Sequence, residues 1–365
     1  MFCEIDKNKF VENLSGVVSV LMTKTSYPIL QNVFLEITDN NLIIKATDLD
    51  SYIEKRILIE KGKVKPGKAI LPGKKLLEAT KELLTEKLTI TTKDNKIHIE
   101  TKGSSSFFVS IDPNEYPEVP EIPKETELEI PQTLLEECYS YTGFAVSKEE
   151  SRPPICGIYL KISENEIRMV ATDTFRLAFA KKKEKFDGNF EVIIAPKVFS
   201  LFPKGEDKVK VLVDSSKIAF VFANTTIISR LIEGPYPDYE RIIPQKYESQ
   251  LQVNTETFIG ALRRAAVFAH PAGRLIELRL SAKQNSIFAE TADLGHTTQE
   301  FEAKYTGDSL KIGFNVNYLL EIISALKSEE VIMQFINQFS TVVIKPKTDQ
   351  EGWQRQYLLM PIRLE

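Results

Sequence analysis

Arg168-Met169-Val170-Ala171-Thr172-Asp173 is an apolar run that stops on an acidic residue. The same shape stands at Ile43-Ile44-Lys45-Ala46-Thr47-Asp48 and at Ile287-Phe288-Ala289-Glu290-Thr291-Ala292-Asp293, at a spacing of about 120 residues. A second mark follows each run. Ile70-Leu71-Pro72-Gly73-Lys74-Lys75-Leu76-Leu77, Ile194-Ala195-Pro196-Lys197-Val198-Phe199 and Gly313-Phe314-Asn315-Val316-Asn317-Tyr318-Leu319 each read as a strand giving way to a helix, with Pro or Asn at the start. A third mark closes each segment: Tyr116-Pro117-Glu118-Val119-Pro120, Tyr236-Pro237-Asp238-Tyr239-Glu240-Arg241 and Met360-Pro361-Ile362-Arg363. Three marks in one order, three times, predict a triplicated domain with bounds at 1–122, 123–246 and 247–365. The polar stretches Pro120–Glu127 and Pro244–Gln250 serve as linkers.

Each repeat reads as α+β. Leu134, Leu135, Cys138, Thr142 and Ala145 keep helical spacing, as do Phe258, Ile259, Leu262, Ala265, Ala266 and Ala269. Leu76, Leu77, Thr80, Leu83 and Leu84 are expected on one face of a further helix. Strands 157–162 and 166–170 flank the polar turn Ser163-Glu164-Asn165. Further hairpins are expected at 87–101, 209–222 and 331–345. Strands adjacent in sequence make antiparallel sheet. Two helices on one face of that sheet complete each repeat.

Composition excludes several classes. The 365 residues carry 47 Lys+Arg and 51 Asp+Glu, a net charge of -4, so no histone-like basic protein is indicated. Cys3, Cys138 and Cys156 are odd in number and far apart, which fits a reducing compartment and no Cys-based zinc site. The charged N-terminus lacks the pattern of a secretory signal, and no apolar stretch reaches the ~20 residues of a membrane span. A cytoplasmic protein is expected.

Catalytic motifs fail on inspection. Gly62-Lys63-Val64-Lys65-Pro66-Gly67-Lys68-Ala69 approaches a phosphate loop. However, Ala69 replaces the Mg²⁺-binding hydroxyl, Pro66 removes a backbone donor, and a strand follows where a helix must start. Asp48, Asp173 and Asp293 fall one per repeat, so they read as turn or capping residues rather than a paired-carboxylate site. His98, His270 and His296 show no ligand spacing. Neither metal nor cofactor is expected, and no catalytic residue is assigned.

Joined to the repeats, Tyr27-Pro28-Ile29-Leu30-Gln31-Asn32, Ala46-Thr47-Asp48-Leu49-Asp50, Thr172-Asp173-Thr174-Phe175-Arg176-Leu177-Ala178, Pro237–Pro244 and the terminal Met360-Pro361-Ile362-Arg363-Leu364 give the whole chain a resemblance to the bacterial sliding clamps, the beta subunits of DNA polymerase III. The resemblance implies a DNA clamp fold closing into a head-to-tail homodimeric ring. Duplex DNA would thread it without sequence preference. The replicative polymerase, the clamp loader and other factors would dock through short linear motifs. It implies a processivity factor without catalysis. Two other readings stand beside it: an enzyme built on the partial phosphate loop or the Asp set, and a peptide-binding scaffold that never encloses DNA.

The resemblance also implies residues. Charges expected to face DNA, many of them at helix starts and inter-helix loops, are Lys7, Lys9, Lys74, Lys75, Lys81, Lys197, Lys204, Arg263 and Arg264, with Lys24, Lys148 and Arg152 beside them. Pro153 and Pro154 stand where the family often carries aromatic residues. The partner-peptide pocket is implied between the second and third repeats. Ile155, Thr172, Thr174, Phe175, Arg176 and Leu177 supply one wall, and Pro237, Arg241 and Ile242 a second. Phe339, Thr341, Leu358, Leu359, Met360, Pro361, Ile362 and Arg363 supply the rest. Thr174-Phe175 departs from the Gly-His often seen there, and Glu365 extends one residue past the usual end. Phe107, Val109, Val267 and Phe268 are the implied dimer contacts, with Lys74 and Lys75 facing Glu300 and Glu302. An acidic outer wall and a basic helix lining would reconcile the net charge with DNA.

Overall fold

The computed structural model describes residues 1–60, 64–93 and 96–364. Gly62 and Lys63 of the partial phosphate loop, and Glu365, lie outside the described residues. The strand expected after that loop runs Gly67–Pro72.

Six helices are present among the described residues: α1 (Lys7–Val18), α2 (Gly73–Lys81), α3 (Gln132–Thr142), α4 (Lys197–Ser200), α5 (Thr255–Ala266) and α6 (Val316–Ala325). Asp6 caps α1, its Oδ1 accepting from Lys9 N–H at 2.8 Å. Asn254 caps α5 through Thr257 N–H at 3.0 Å. Asn315 caps α6 through the N–H groups of Asn317 and Tyr318. Each satisfies orphan donors of a first turn. Helix α4 is a single turn, because Pro203 and Gly205 follow it at once. Helix α2 ends at Lys81, so Leu83 and Leu84 fall beyond it and Leu84 is fully exposed.

The chain forms two compact units, Met1–Thr133 with Lys197–Leu231, and Leu134–Pro196 with Ile232–Glu365. In the first, an eight-stranded sheet runs in the order 126–131, 208–213, 217–221, 225–230, 51–58, 41–47, 32–37, 67–72. A five-stranded sheet runs 64–65, 2–6, 87–93, 96–101, 104–109. Helices α1 and α2 pack against each other, and Phe10, Leu14, Val17, Leu76 and Thr80 are buried. In the second unit, a nine-stranded sheet runs 190–194, 158–163, 166–172, 176–183, 353–359, 342–346, 330–335, 249–254, 303–306. A four-stranded sheet runs 295–300, 286–291, 275–280, 310–315. Helices α5 and α6 pack together there, burying Phe258, Leu262, Leu319 and Ile323. Every described strand pair is antiparallel, the sequence-adjacent hairpins among them as their short turns require.

The Asp-terminated turns repeat atom for atom in two of three places. Asp48 Oδ1 accepts from Asp50 and Ser51 N–H, and Asp173 Oδ1 accepts from Phe175 and Arg176 N–H. Thr47 and Thr172 hydroxyls both bridge the same turns. Leu49 (φ 79°) and Thr174 (φ 76°) take the same left-handed conformation. The third turn differs. Thr291 pairs with Gly295, one residue sooner, and Leu294 N–H closes on the Thr291 carbonyl at 3.0 Å. Ala292 therefore stands where Asp48 and Asp173 stand; Asp293 lies in the turn, as expected, but not at the capping position.

Candidate functional site

Within the second unit, one row of side chains crosses four strands. Thr172 pairs with Leu177, Leu177 with Leu358, and Leu358 with Val343. Side chains alternate across a strand, so Val170 and Phe179 share that face. Tyr239 joins this cluster, and Tyr159, Tyr236 and Ile243 pack against it. Burial holds the Tyr239 phenol protonated, and Arg168 pulls the other way through a 3.0 Å hydrogen bond to its oxygen. That bond fixes segment 236–243 to the sheet.

Around this apolar floor stand exposed groups: Thr174, Phe175, Pro237, Arg241, Ile242, Phe339, Met360 and Arg363. Their positions are tied down individually. Met360 N–H donates to the Phe175 carbonyl at 2.9 Å, and Ile362 N–H to Gly313 at 2.8 Å, which anchors the terminal segment. Asn337 Oδ1 accepts from Phe339 and Ser340 N–H at 2.9 Å each. The Arg363 guanidinium lies 5.9 Å from the Phe339 ring centre, and Arg241 pairs with Asp238 at 2.6 Å. Phe175 stacks on Tyr318 of α6 at 6.3 Å. Ile155 is buried, and Thr341 and Pro361 are half-buried. An apolar floor under an aromatic and Met rim suits an extended peptide with apolar side chains.

Arg176 and Leu359 are placed differently from the pocket reading. The pleat turns both to the face opposite Leu177 and Leu358. Arg176 donates to Asp173 Oδ2 and to the Phe144 carbonyl at 2.9 Å each, and also pairs with Glu321. Its guanidinium lies 4.3 Å from the Tyr318 ring centre. It supports the turn that carries Phe175 from behind.

The expected DNA-facing charges divide likewise. Lys9, Lys24, Lys74, Lys75, Lys81, Lys148, Arg152, Lys204, Arg263 and Arg264 are exposed. Lys75 pairs with Glu78 at 2.7 Å, and Arg264 donates to Gln299 at 2.6 Å. Lys197 is committed elsewhere. Its ammonium meets Asp48 at 2.5 Å and the Val20 carbonyl at 2.8 Å, joining α4 to the end of α1. The six helices carry eight Lys and Arg against six Glu, and the remainder carries 39 against 45 Asp and Glu. The basic bias of the helices is thus small, and α3 exposes Glu136 and Glu137.

Sequence comparison decides the lineage. Family models described as the DNA polymerase III beta subunit N-terminal, central and C-terminal domains match residues 1–120, 129–238 and 240–363. The chain belongs to the DNA polymerase III beta subunit family. The beta sliding clamp of Staphylococcus epidermidis is 29% identical over 98% of both chains. A Pseudomonas aeruginosa DnaN sliding clamp, solved bound to griselimycin, matches over all of both chains at 26% identity and TM-score 0.92. A griselimycin-bound DnaN clamp from Bartonella birtlesii gives 26% and 0.94, again over both whole chains. The mixed α+β architecture described here is the fold of this beta subunit family.

In this beta subunit, two of the strands that end a sheet carry implied contact residues. Strand 104–109 ends the five-stranded sheet, with Phe107 and Val109 exposed. Strand 295–300 ends the four-stranded sheet, with Glu300 exposed and bonded to Gln284 at 2.5 Å. Val267 is exposed at the end of α5, while Phe268 is half-buried and its carbonyl accepts from Thr291 at 2.5 Å. Glu302 is exposed. Among the described residues no helix is long and apolar enough to cross a membrane.

Proposed function

We propose that this beta subunit is a non-catalytic processivity clamp built as three domains, 1–122, 123–246 and 247–365. Two copies join head to tail into a ring around duplex DNA. The polymerase and other replication factors dock by short peptides laid over the Thr172–Leu177–Leu358–Val343 row and held by Phe175, Ile242, Phe339 and Met360. The observation that carries this reading is that strands 104–109 and 295–300, which bear or adjoin the implied contact residues Phe107, Val109 and Glu300, are terminal strands of their sheets on a chain of this family. Open edges are liabilities unless paired, and two dissimilar edges on one chain fit a head-to-tail contact that closes. Sedimentation of the full chain is expected to give twice 41.5 kDa, and Phe107→Asp to give the monomer. Removing residues 360–365 should abolish binding of a polymerase-derived peptide and leave the dimer whole. A monomeric wild type, or peptide affinity indifferent to the deletion, sinks the corresponding half of the reading.

A further inference from the structure

Strand 51–58 holds Lys55 between Ile53 and Ile57, on the face opposite Tyr52, Glu54 and Arg56. Glu54 and Arg56 pair with each other at 2.7 Å. Lys55 is 9% exposed, and its cross-strand neighbours Ile44 and Thr225 are buried. No hydrogen bond or ion pair joins its ammonium to another described residue. Burial lowers its pKa, opposed by the charge of Glu12 on α1. The side chain ends against Gly16 of α1, where an added Cβ would lie 2.7 Å from Nζ and 2.8 Å from Cε. Glycine is a poor helix former, and here its missing side chain is the space the ammonium occupies.

We propose that Gly16 and Lys55 act together to deliver an ammonium past α1, over the bare flank at Gly16, to a backbone phosphate of duplex DNA. The inference rests on the clamp reading, in which α1 faces the duplex. A buried ammonium without a partner is unfavourable, and an anion is the group that completes it. A phosphate oxygen offers a charge-assisted bond. Lysine contacts it as a point charge without reading sequence, as a sliding protein requires. Lys7 and Lys9 on α1 add positive charge, and the charge of Glu12 favours the ammonium form of Lys55.

The test is fluorescence anisotropy of the full-length protein with a labelled linear duplex across a salt series, without clamp loader. Lys55→Met is expected to flatten the slope of log K against log salt by about 0.9, the contribution of one phosphate contact. Gly16→Ala displaces the flexible end of Lys55 without altering a charge, so it should flatten the slope too, and should add nothing in a Lys55→Met background. Wild-type slopes in both single variants would overturn the proposal and leave the clamp reading standing. A wild type with no salt-dependent duplex binding would overturn the proposal alone, because retention by topology requires no equilibrium affinity for a linear duplex. If Lys55→Met unfolds, Gly16→Ala alone decides.

Discussion

Arg176→Ala should cost about 3 kcal/mol of stability. Its side chain is 7% exposed and its Asp173 partner 13% exposed, so that hydrogen bond is sheltered from water. A hydrogen bond to a charged group contributes roughly 1.5–3 kcal/mol. The rings of Tyr318 and Phe144, 4.3 and 5.1 Å from the guanidinium, add about 0.5–1 kcal/mol each. Glu321 is half exposed and relaxes into water, so its pair adds little. Trp353, the single tryptophan, lies on the strand paired with 176–183 and packs edge-on against Tyr141 at 5.1 Å. Its fluorescence therefore reports on the right unit in a urea titration. With slopes of ~1–3 kcal/mol/M the midpoint should fall by about 1 M or more. Arg176→Lys should recover less than half, because an ammonium cannot reproduce the planar fork and the stacking. A change under about 0.5 kcal/mol, or full recovery by lysine, refutes the assignment of Arg176 as the brace of the Phe175 turn. Peptide affinity should weaken in Arg176→Ala even though its side chain lies off the groove face.

Three further outcomes follow from single residues. Thr174 holds a positive φ that a β-branched residue rarely adopts, so Thr174→Gly should raise stability by roughly 1 kcal/mol in the same titration, and a loss would contradict the strain. A thiol reagent on the native protein should label Cys156 alone, since Cys3 is buried with its thiol pushed up to about 12 and Cys138 is buried and raised further; labelling of all three would show the cores are open. Burial pushes the carboxyls of Glu36 and Glu166 up, but Lys45 and Lys68, and Arg168 and Lys181, bring them below the ordinary 4.5. Their contribution is thus present above 4.5 and lost as pH falls through the depressed folded values, and a urea midpoint that rises on acidification past 4.5 would contradict it.

Sequence carried the periodic features and missed those set by distant chain. The Asp turns at 48 and 173 are local, so their caps could be read from four residues. Asp293 lies in its turn but does not cap it, because the third turn is one residue shorter, which only the pairing of Thr291 with Gly295 reveals. Lys197 read as a DNA-facing charge because its partners, Val20 and Asp48, are well over a hundred residues away. Pocket residues were named by resemblance, but the face each presents depends on strand parity, which sends Leu358 to the groove and Leu359 away. Lys55 left a faint signal, a charge inside an Ile-x-Lys-x-Ile alternation, and Gly16 another, a glycine inside a helix. Their meeting is legible only in three dimensions.

The central claim is topological binding, and retention on DNA tests it most directly. The protein is loaded by a clamp loader on nicked circular DNA, and the DNA is then linearised. The account predicts retention on the circle at salt that abolishes phosphate contacts, and release once free ends exist. Retention indifferent to circularity would contradict it.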